Sequence, residues 1–169
     1  MWQRLMKYGS SKLTVINCLL VNFLTALLVS CSDFNIEALN GDDEELLRYL
    51  SEGGSPNRWV SFSNPYFADG QTVERALIVV AAISGQAKAV QILIDHDVNL
   101  DAKENRFAIC PAAALGHYEV VRTLVAVGVT TSVVPCGKNG NHSPESIASQ
   151  NGHGAIVRLL RQTNPSRYE

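Results

Sequence analysis

The chain has 169 residues, 46% of them hydrophobic, and a formal net charge of −2. That length allows a single domain with a buried core. Residues 1–30 hold Arg4, Lys7 and Lys12 and no acid, so residues 31–169 carry 11 basic against 16 acidic side chains, a balance of about −5. A body of that sign lacks the basic footprint that nucleic-acid binding requires, and it suits a basic protein partner.

Residues 1–12 are polar and basic. Leu13 to Val29 is apolar apart from Thr14, Asn17, Asn22 and Thr25, and small residues follow. A basic start, a short apolar core and a small-residue end predict a secretory signal peptide over 1–30. The apolar run is short for a membrane span, and its asparagines are costly in lipid. Leu28-Val29-Ser30-Cys31 resembles the lipobox of bacterial lipoproteins. The resemblance implies cleavage before Cys31, lipidation of its thiol and stable anchoring by several acyl chains. Ser32 rather than Asp follows the cysteine, which in that family directs the protein to the outer membrane, facing the periplasm. The other reading is an uncleaved anchor with Cys31 an ordinary thiol. Both readings place the rest of the chain outside the cytoplasm.

From residue 33 onward one spacing recurs. Gly41 is followed twelve residues later by Gly53, Gly85 by Asp97, Gly116 by Gly128 and Gly152 by Asn164. The second members are residue types that tolerate a left-handed backbone at a helix end. Small residues stand three or four positions before each first glycine: Ala38, Ala81 and Ala82, Ala112 and Ala113, Ala148 and Ser149. Leu46, Val90, Val121 and Val157 stand five after, and Tyr49, Leu93, Leu124 and Leu160 eight after. That is a helical face. Each unit is predicted as helix, glycine turn, helix and left-handed stop. No unit can bury its stripe alone, so the units must stack.

The run Ala112-Ala113-Ala114-Leu115-Gly116-His117-Tyr118-Glu119-Val120-Val121 resembles the centre of the ankyrin repeat. Ser143-Pro144 stands where that family has Thr-Pro, and Gly152-His153 repeats the Gly-His pair. The resemblance implies an all-α ankyrin-repeat solenoid of about four helix-turn-helix units with hairpin-like loops. The domain is 31–169, with units near 33–54, 76–100, 107–132 and 143–164. The first unit resembles an N-terminal cap, and the last, with Arg158, Arg161 and Gln162, a polar C-terminal cap. Spacings between the turn glycines are 44, 31 and 36 residues. Against a period of ~33, the first connection carries a loop insertion over 55–74.

Function is expected in the loops. The insertion holds Trp59, Phe62, Tyr66 and Phe67, aromatic residues of the kind enriched at interface centres. These rings either meet a partner or fold back to seal the first two units. A mixed outcome packs Trp59 and Phe62 inward and leaves Tyr66 and Phe67 partly exposed. A second loop, Val133 to Asn141, carries Lys138 at its tip and the tight-turn pair Asn139-Gly140. In the ankyrin family such loops are fingers beside a concave binding surface, so Lys138 and Asn139 join the candidate contact residues.

Cys110 and Cys136 remain once Cys18 is lost with the signal peptide and Cys31 is lipidated. In an oxidising compartment they form either a disulfide or a buried thiol and a loop thiol. None of His96, His117, His142 and His153 makes a metal-ligand pair on one helix. The ankyrin resemblance implies that His117 and His153 bond backbone groups of a neighbouring unit. No nucleophile elbow or phosphate-binding loop occurs. Asp42, Asp43, Glu44 and Glu45 open a helix, where acids favour the dipole. The expectation is a monomeric binding module, not an enzyme, with no cofactor. Small ankyrin lipoproteins of this layout resemble immunity proteins, which implies a basic periplasmic toxin as partner. The alternative is a periplasmic scaffold for an endogenous envelope or oxidative-stress system.

Overall fold

The computed structural model describes residues 43–63, 72–129, 134–136 and 140–163. Residues 1–30, predicted as a signal peptide, lie outside the described residues, as do Cys31, Gly41, Asn164, Tyr66, Phe67, Lys138 and Asn139. The helices are α1 (Asp43–Ser51), α2 (Leu77–Ile83), α3 (Ala87–Asp95), α4 (Lys103–Arg106), α5 (Ile109–Leu115), α6 (Tyr118–Ala126), α7 (Pro144–Gln150) and α8 (Gly154–Gln162). Two strands, β1 (Trp59–Ser63) and β2 (Thr72–Ala76), precede α2.

Small side chains let the inner helices approach closely. Ala81, Ala82, Ala112, Ala113 and Ala148 are all fully buried, and α2, α5 and α7 pack side by side in one row. The second row is α1, α3, α6 and α8, whose apolar stripes face the first. Leu46, Val90 and Val121 from that row are completely buried, with Tyr49, Leu93, Leu124 and Leu160 beside them. The core is therefore one slab between two helix layers, continuous from α1 to α8. Helices of seven to nine residues are too short to persist alone, so this burial is what holds them.

The twelve-residue spacing has a backbone cause. At the stops, Gly53 has φ +89°, Asp97 +59° and Gly128 +86°. A left-handed residue there lets two amides turn back onto the helix. Asp97 N–H donates to the Ile94 carbonyl (3.1 Å) and Val98 N–H to Leu93 (3.0 Å). Gly128 and Val129 repeat the pattern on Val125 and Leu124, and Gly53 and Gly54 repeat it on Leu50 and Tyr49. Orphan carbonyls at each helix end are satisfied this way. At the start of α7, Ser143 Oγ accepts from Ser146 N–H (3.1 Å) and Pro144 occupies the first turn, where its missing donor costs nothing.

The expected all-α solenoid holds, with a local departure in a connection. Part of the 55–74 insertion is a two-stranded antiparallel sheet, with Trp59 opposite Ala76, Ser61 opposite Glu74 and Phe62 opposite Val73. The sequence Trp59-Val60-Ser61-Phe62-Ser63 alternates with the period of a half-buried strand. Val60 is buried and Phe62 packs against the core, while Ser61 points out. A second departure is α4, a single helical turn between the second and third units, lying against α2.

Candidate protein interface

The root of the β1–β2 hairpin is tied to the next connection by three asparagines. Asn57 Oδ1 accepts from the Asn99 backbone N–H (2.8 Å) and from Asn105 Nδ2 (3.2 Å). Asn105 Nδ2 also donates to the Asn99 carbonyl (2.7 Å). Asn99 Oδ1 in turn accepts from the amides of Asp101 and Ala102. Asn105 is the buried polar residue among the described residues, at 4% exposure. A buried amide keeps its place only when bonded, so this hub fixes where the hairpin stands. From α1, Tyr49 Oη donates to the Ser55 carbonyl (3.2 Å), and the Arg58 guanidinium lies 5.9 Å from the Tyr49 ring centre. Gly54 is needed there because a Cβ would run into the Tyr49 ring.

On this fixed hairpin, Trp59 is 51% exposed, the most open of the large apolar side chains described. Phe62 is on the opposite face of β1, partly buried against the core. Of the outcomes left open by the sequence, the mixed one, with both Trp59 and Phe62 packed inward, fails for Trp59. Odd and even positions of a strand face opposite ways, so one pleat cannot bury both. Beside Trp59 lie Ser61 and Glu74, cross-strand neighbours whose hydroxyl and carboxylate are hydrogen-bonded. Exposed Trp is costly in water and enriched at interface centres.

The finger after α6 is closed differently. A disulfide joins Cys110 in α5 to Cys136, with Cα atoms 5.5 Å apart. Cys136 also forms an isolated bridge with His142: its N–H donates to the His142 carbonyl (2.6 Å), and His142 N–H donates back (3.2 Å). Gly140, φ +65°, provides the reversal inside this bridge. Both cysteines are buried.

His117 Nε2 lies 3.0 Å from the Ile83 carbonyl, and His153 Nε2 lies 3.0 Å from the Ala114 carbonyl. Each imidazole thus reaches one unit back and lies over that unit's turn glycine, Gly85 or Gly116. The same turn, alanine pair and bridging histidine recur along the stack. A family model described as Ankyrin repeats (3 copies) matches residues 34–133 and 78–168. The chain belongs to the ankyrin repeat family. No curated protein matches it.

Ankyrin stacks act as protein-interaction modules, and that is the general function this fold supplies. Among the described residues, no group of three His, Cys, Asp or Glu side chains could hold a metal ion, and no helix is long and apolar enough to cross a membrane. Ion pairs lie along the second row and between it and α7. Arg122 pairs with Glu119, Arg161 with Glu145 (2.8 Å) and Lys88 with Asp43 (2.7 Å). The Asp43 carboxylate, by hydrogen bond and charge, raises the Lys88 pKa above the ordinary 10.5. Arg122–Glu119 lies within α6, Lys88–Asp43 links α3 to α1 and Arg161–Glu145 links α8 to α7; each has an exposed cation and contributes little to stability, and among the described residues they form no convergent reactive cluster.

The sequence reading missed the asparagine hub and the pairing of Ser61 with Glu74. The hub joins residues 42 and 48 positions apart, which no local pattern reveals. The hairpin did leave a signal in the alternation of β1 and in Thr72-Val73-Glu74.

Proposed function

We propose that this ankyrin protein is a lipid-anchored, periplasm-facing binding module that neutralises a protein partner, concretely a basic toxin delivered into the periplasm. The observation that carries the reading is Trp59, half exposed on a hairpin rooted in an asparagine hub centred on the buried Asn105. A large apolar ring held rigidly in solvent is an anchor that loses little entropy on binding. The compartment is supported by the Cys110–Cys136 disulfide, since such bonds persist in oxidising surroundings. Export and anchoring are supported by the basic, apolar and lipobox-like segments ending at Cys31. The balance of about −5 over residues 31–169 supports a basic partner.

Affinity capture of the full chain from envelope fractions, with mass spectrometry, tests the binding, and competition of a deletion strain against siblings and neighbours tests protection. A basic secreted protein captured by the native chain and lost with Trp59→Ala supports the reading. A deletion strain that survives every contact, together with a native chain that captures no toxin, sinks it. Metabolic labelling with a fatty-acid analogue, compared between the native chain and Cys31→Ala, tests the anchor separately.

A further inference from the structure

We propose that the outer edge of β1 is a strand-addition site, and that its occupant is an extended segment of the partner bearing a lysine or arginine opposite Ser61. The inference deepens the protein-binding reading above and rests on it for the existence of a natural partner.

The hydrogen-bond phase of the hairpin decides which backbone groups are available. Leu77 N–H donates to the Arg58 carbonyl (2.9 Å). In the antiparallel register that pairs Val60 with Arg75 and Ser61 with Glu74, this bond makes 58/77, 60/75 and 62/73 the pairs that exchange hydrogen bonds. Trp59 and Ser61 are therefore the alternate positions, and their N–H and C=O groups point away from β2. The side chains of both residues are exposed. At β2 the outward-pointing positions are Thr72, Glu74 and Ala76; Ala76 is buried at 2% exposure, and the Glu74 carbonyl already accepts from Arg75 Nη1 (2.9 Å). The more open edge is that of β1.

Natural sheets guard an open edge with lysine, proline, a bulge or an inward charge. Trp59-Val60-Ser61-Phe62-Ser63 carries no charge and no proline, and its register with β2 runs without a bulge. An unguarded edge invites an added strand, with main-chain bonds supplying affinity and alternate side chains supplying choice.

The chemistry of the face selects the occupant. Glu74 lies across from Ser61 on the exposed face and accepts its hydroxyl. Ser61 is short, so a long cationic side chain from an added strand can pass over it and reach the Glu74 carboxylate. Trp59 stands at one end of this path, and its ring face also attracts a cation. The β1 segment itself holds no cation, so a second copy of this edge would leave Glu74 unmatched.

The test uses the full chain in detergent and a short blocked peptide of alternating valine and threonine with a central lysine. Backbone hydrogen exchange at Trp59 and Ser61 should slow on adding it. A glutamate-centred peptide should bind more weakly. Glu74→Gln should weaken the lysine peptide by about two- to fivefold, the size of an exposed ion pair. Ser61→Pro removes an amide that points away from β2, so the hairpin should survive and peptide binding should disappear. If that variant fails to fold, the same peptide N-methylated on alternate amides tests the point on the unaltered protein and should not bind. Equal binding by the methylated peptide, or retained protection with Ser61→Pro, overturns the inference. Concentration-dependent protection without peptide makes a second copy the occupant and overturns it too. Partner capture that survives Ser61→Pro overturns the edge while the proposed function stands. Peptide binding with no captured partner does the reverse.

Discussion

The imidazole of His117 covers Gly85, one unit back. A Cβ built on Gly85 would stand 2.7 Å from His117 Nδ1, and the Nε2 of the same ring is 3.0 Å from the Ile83 carbonyl. A glycine absent its side chain and a histidine one unit on thus form a single joint, repeated by Gly116 and His153. The joint is what turns separate helix pairs into a stack.

Breaking the joint should be costly. His117→Ala leaves the carbonyl of a buried residue without its partner and should destabilise by about 1–3 kcal/mol. Gly85→Ala forces a side chain into φ +72° and into the ring, and should cost at least about 1–2 kcal/mol from the backbone alone. Urea midpoints of the two variants and the native chain check both. A shift below the error of the measurement for His117→Ala would mean that water replaces the ring.

The disulfide should contribute to stability by restricting the unfolded chain. It closes a sequence separation of 26 residues, for which the loop-entropy relation gives about 3.5 kcal/mol. Unfolding with and without reductant, beside the double variant Cys110→Ala and Cys136→Ala, measures it. An identical midpoint in all three would show that the Cys136–His142 bridge alone holds the finger.

Removing the hub should loosen the hairpin and the single-turn α4 that carries Asn105 without touching the two main helix rows directly. Asn105→Ala takes the donor from Asn57 Oδ1 and the Asn99 carbonyl, and should cost about 1–3 kcal/mol. Hydrogen exchange should rise in β1 and β2 before it rises in α6 or α8. Uniform loss of protection across the chain would contradict a local anchoring role.

Trp59 and Phe62 should separate binding from folding. Trp59→Ala should leave stability within about 0.5 kcal/mol and weaken partner capture by about tenfold or more, as loss of a central aromatic anchor does. Phe62→Ala, on the packed face, should cost about 1–2 kcal/mol of stability. Thermal unfolding beside capture resolves the pair, and a destabilised Trp59→Ala would assign that ring to the fold.

Alkaline pH should dissolve the Lys88–Asp43 pair between α3 and α1 while the buried face of α1 stays packed. Because Asp43 raises the Lys88 pKa, the pair's contribution is complete below the ordinary lysine value of 10.5 and fades as pH rises through the higher folded value. Nitrogen-detected NMR of the Lys88 ammonium should show a later titration than in Asp43→Asn. Coincident titrations would show that the pair dissolves in solution.

Much of the stack was legible in the chain. The stops named by the spacing of twelve are left-handed at Gly53, Asp97 and Gly128, because a left-handed residue after a short helix is a local requirement. The alanine pairs and apolar stripes named the buried faces for the same reason, since helical period decides which side chains share a face. The two strands were half legible. The alternation of β1 is a local signal for an extended segment, but whether it formed a sheet depended on β2 arriving at the right register.

The sequence by itself determined the repeating unit, the helix ends and the acidic balance, all properties of neighbouring residues or of composition. Tertiary structure alone decided which way Trp59 faces, that Asn57, Asn99 and Asn105 meet, and that Cys110 and Cys136 come within bonding distance. Those outcomes join positions from 6 to 48 residues apart. They depend on how one unit seats on the next, and that geometry is written in the packing of the joints rather than in any one segment.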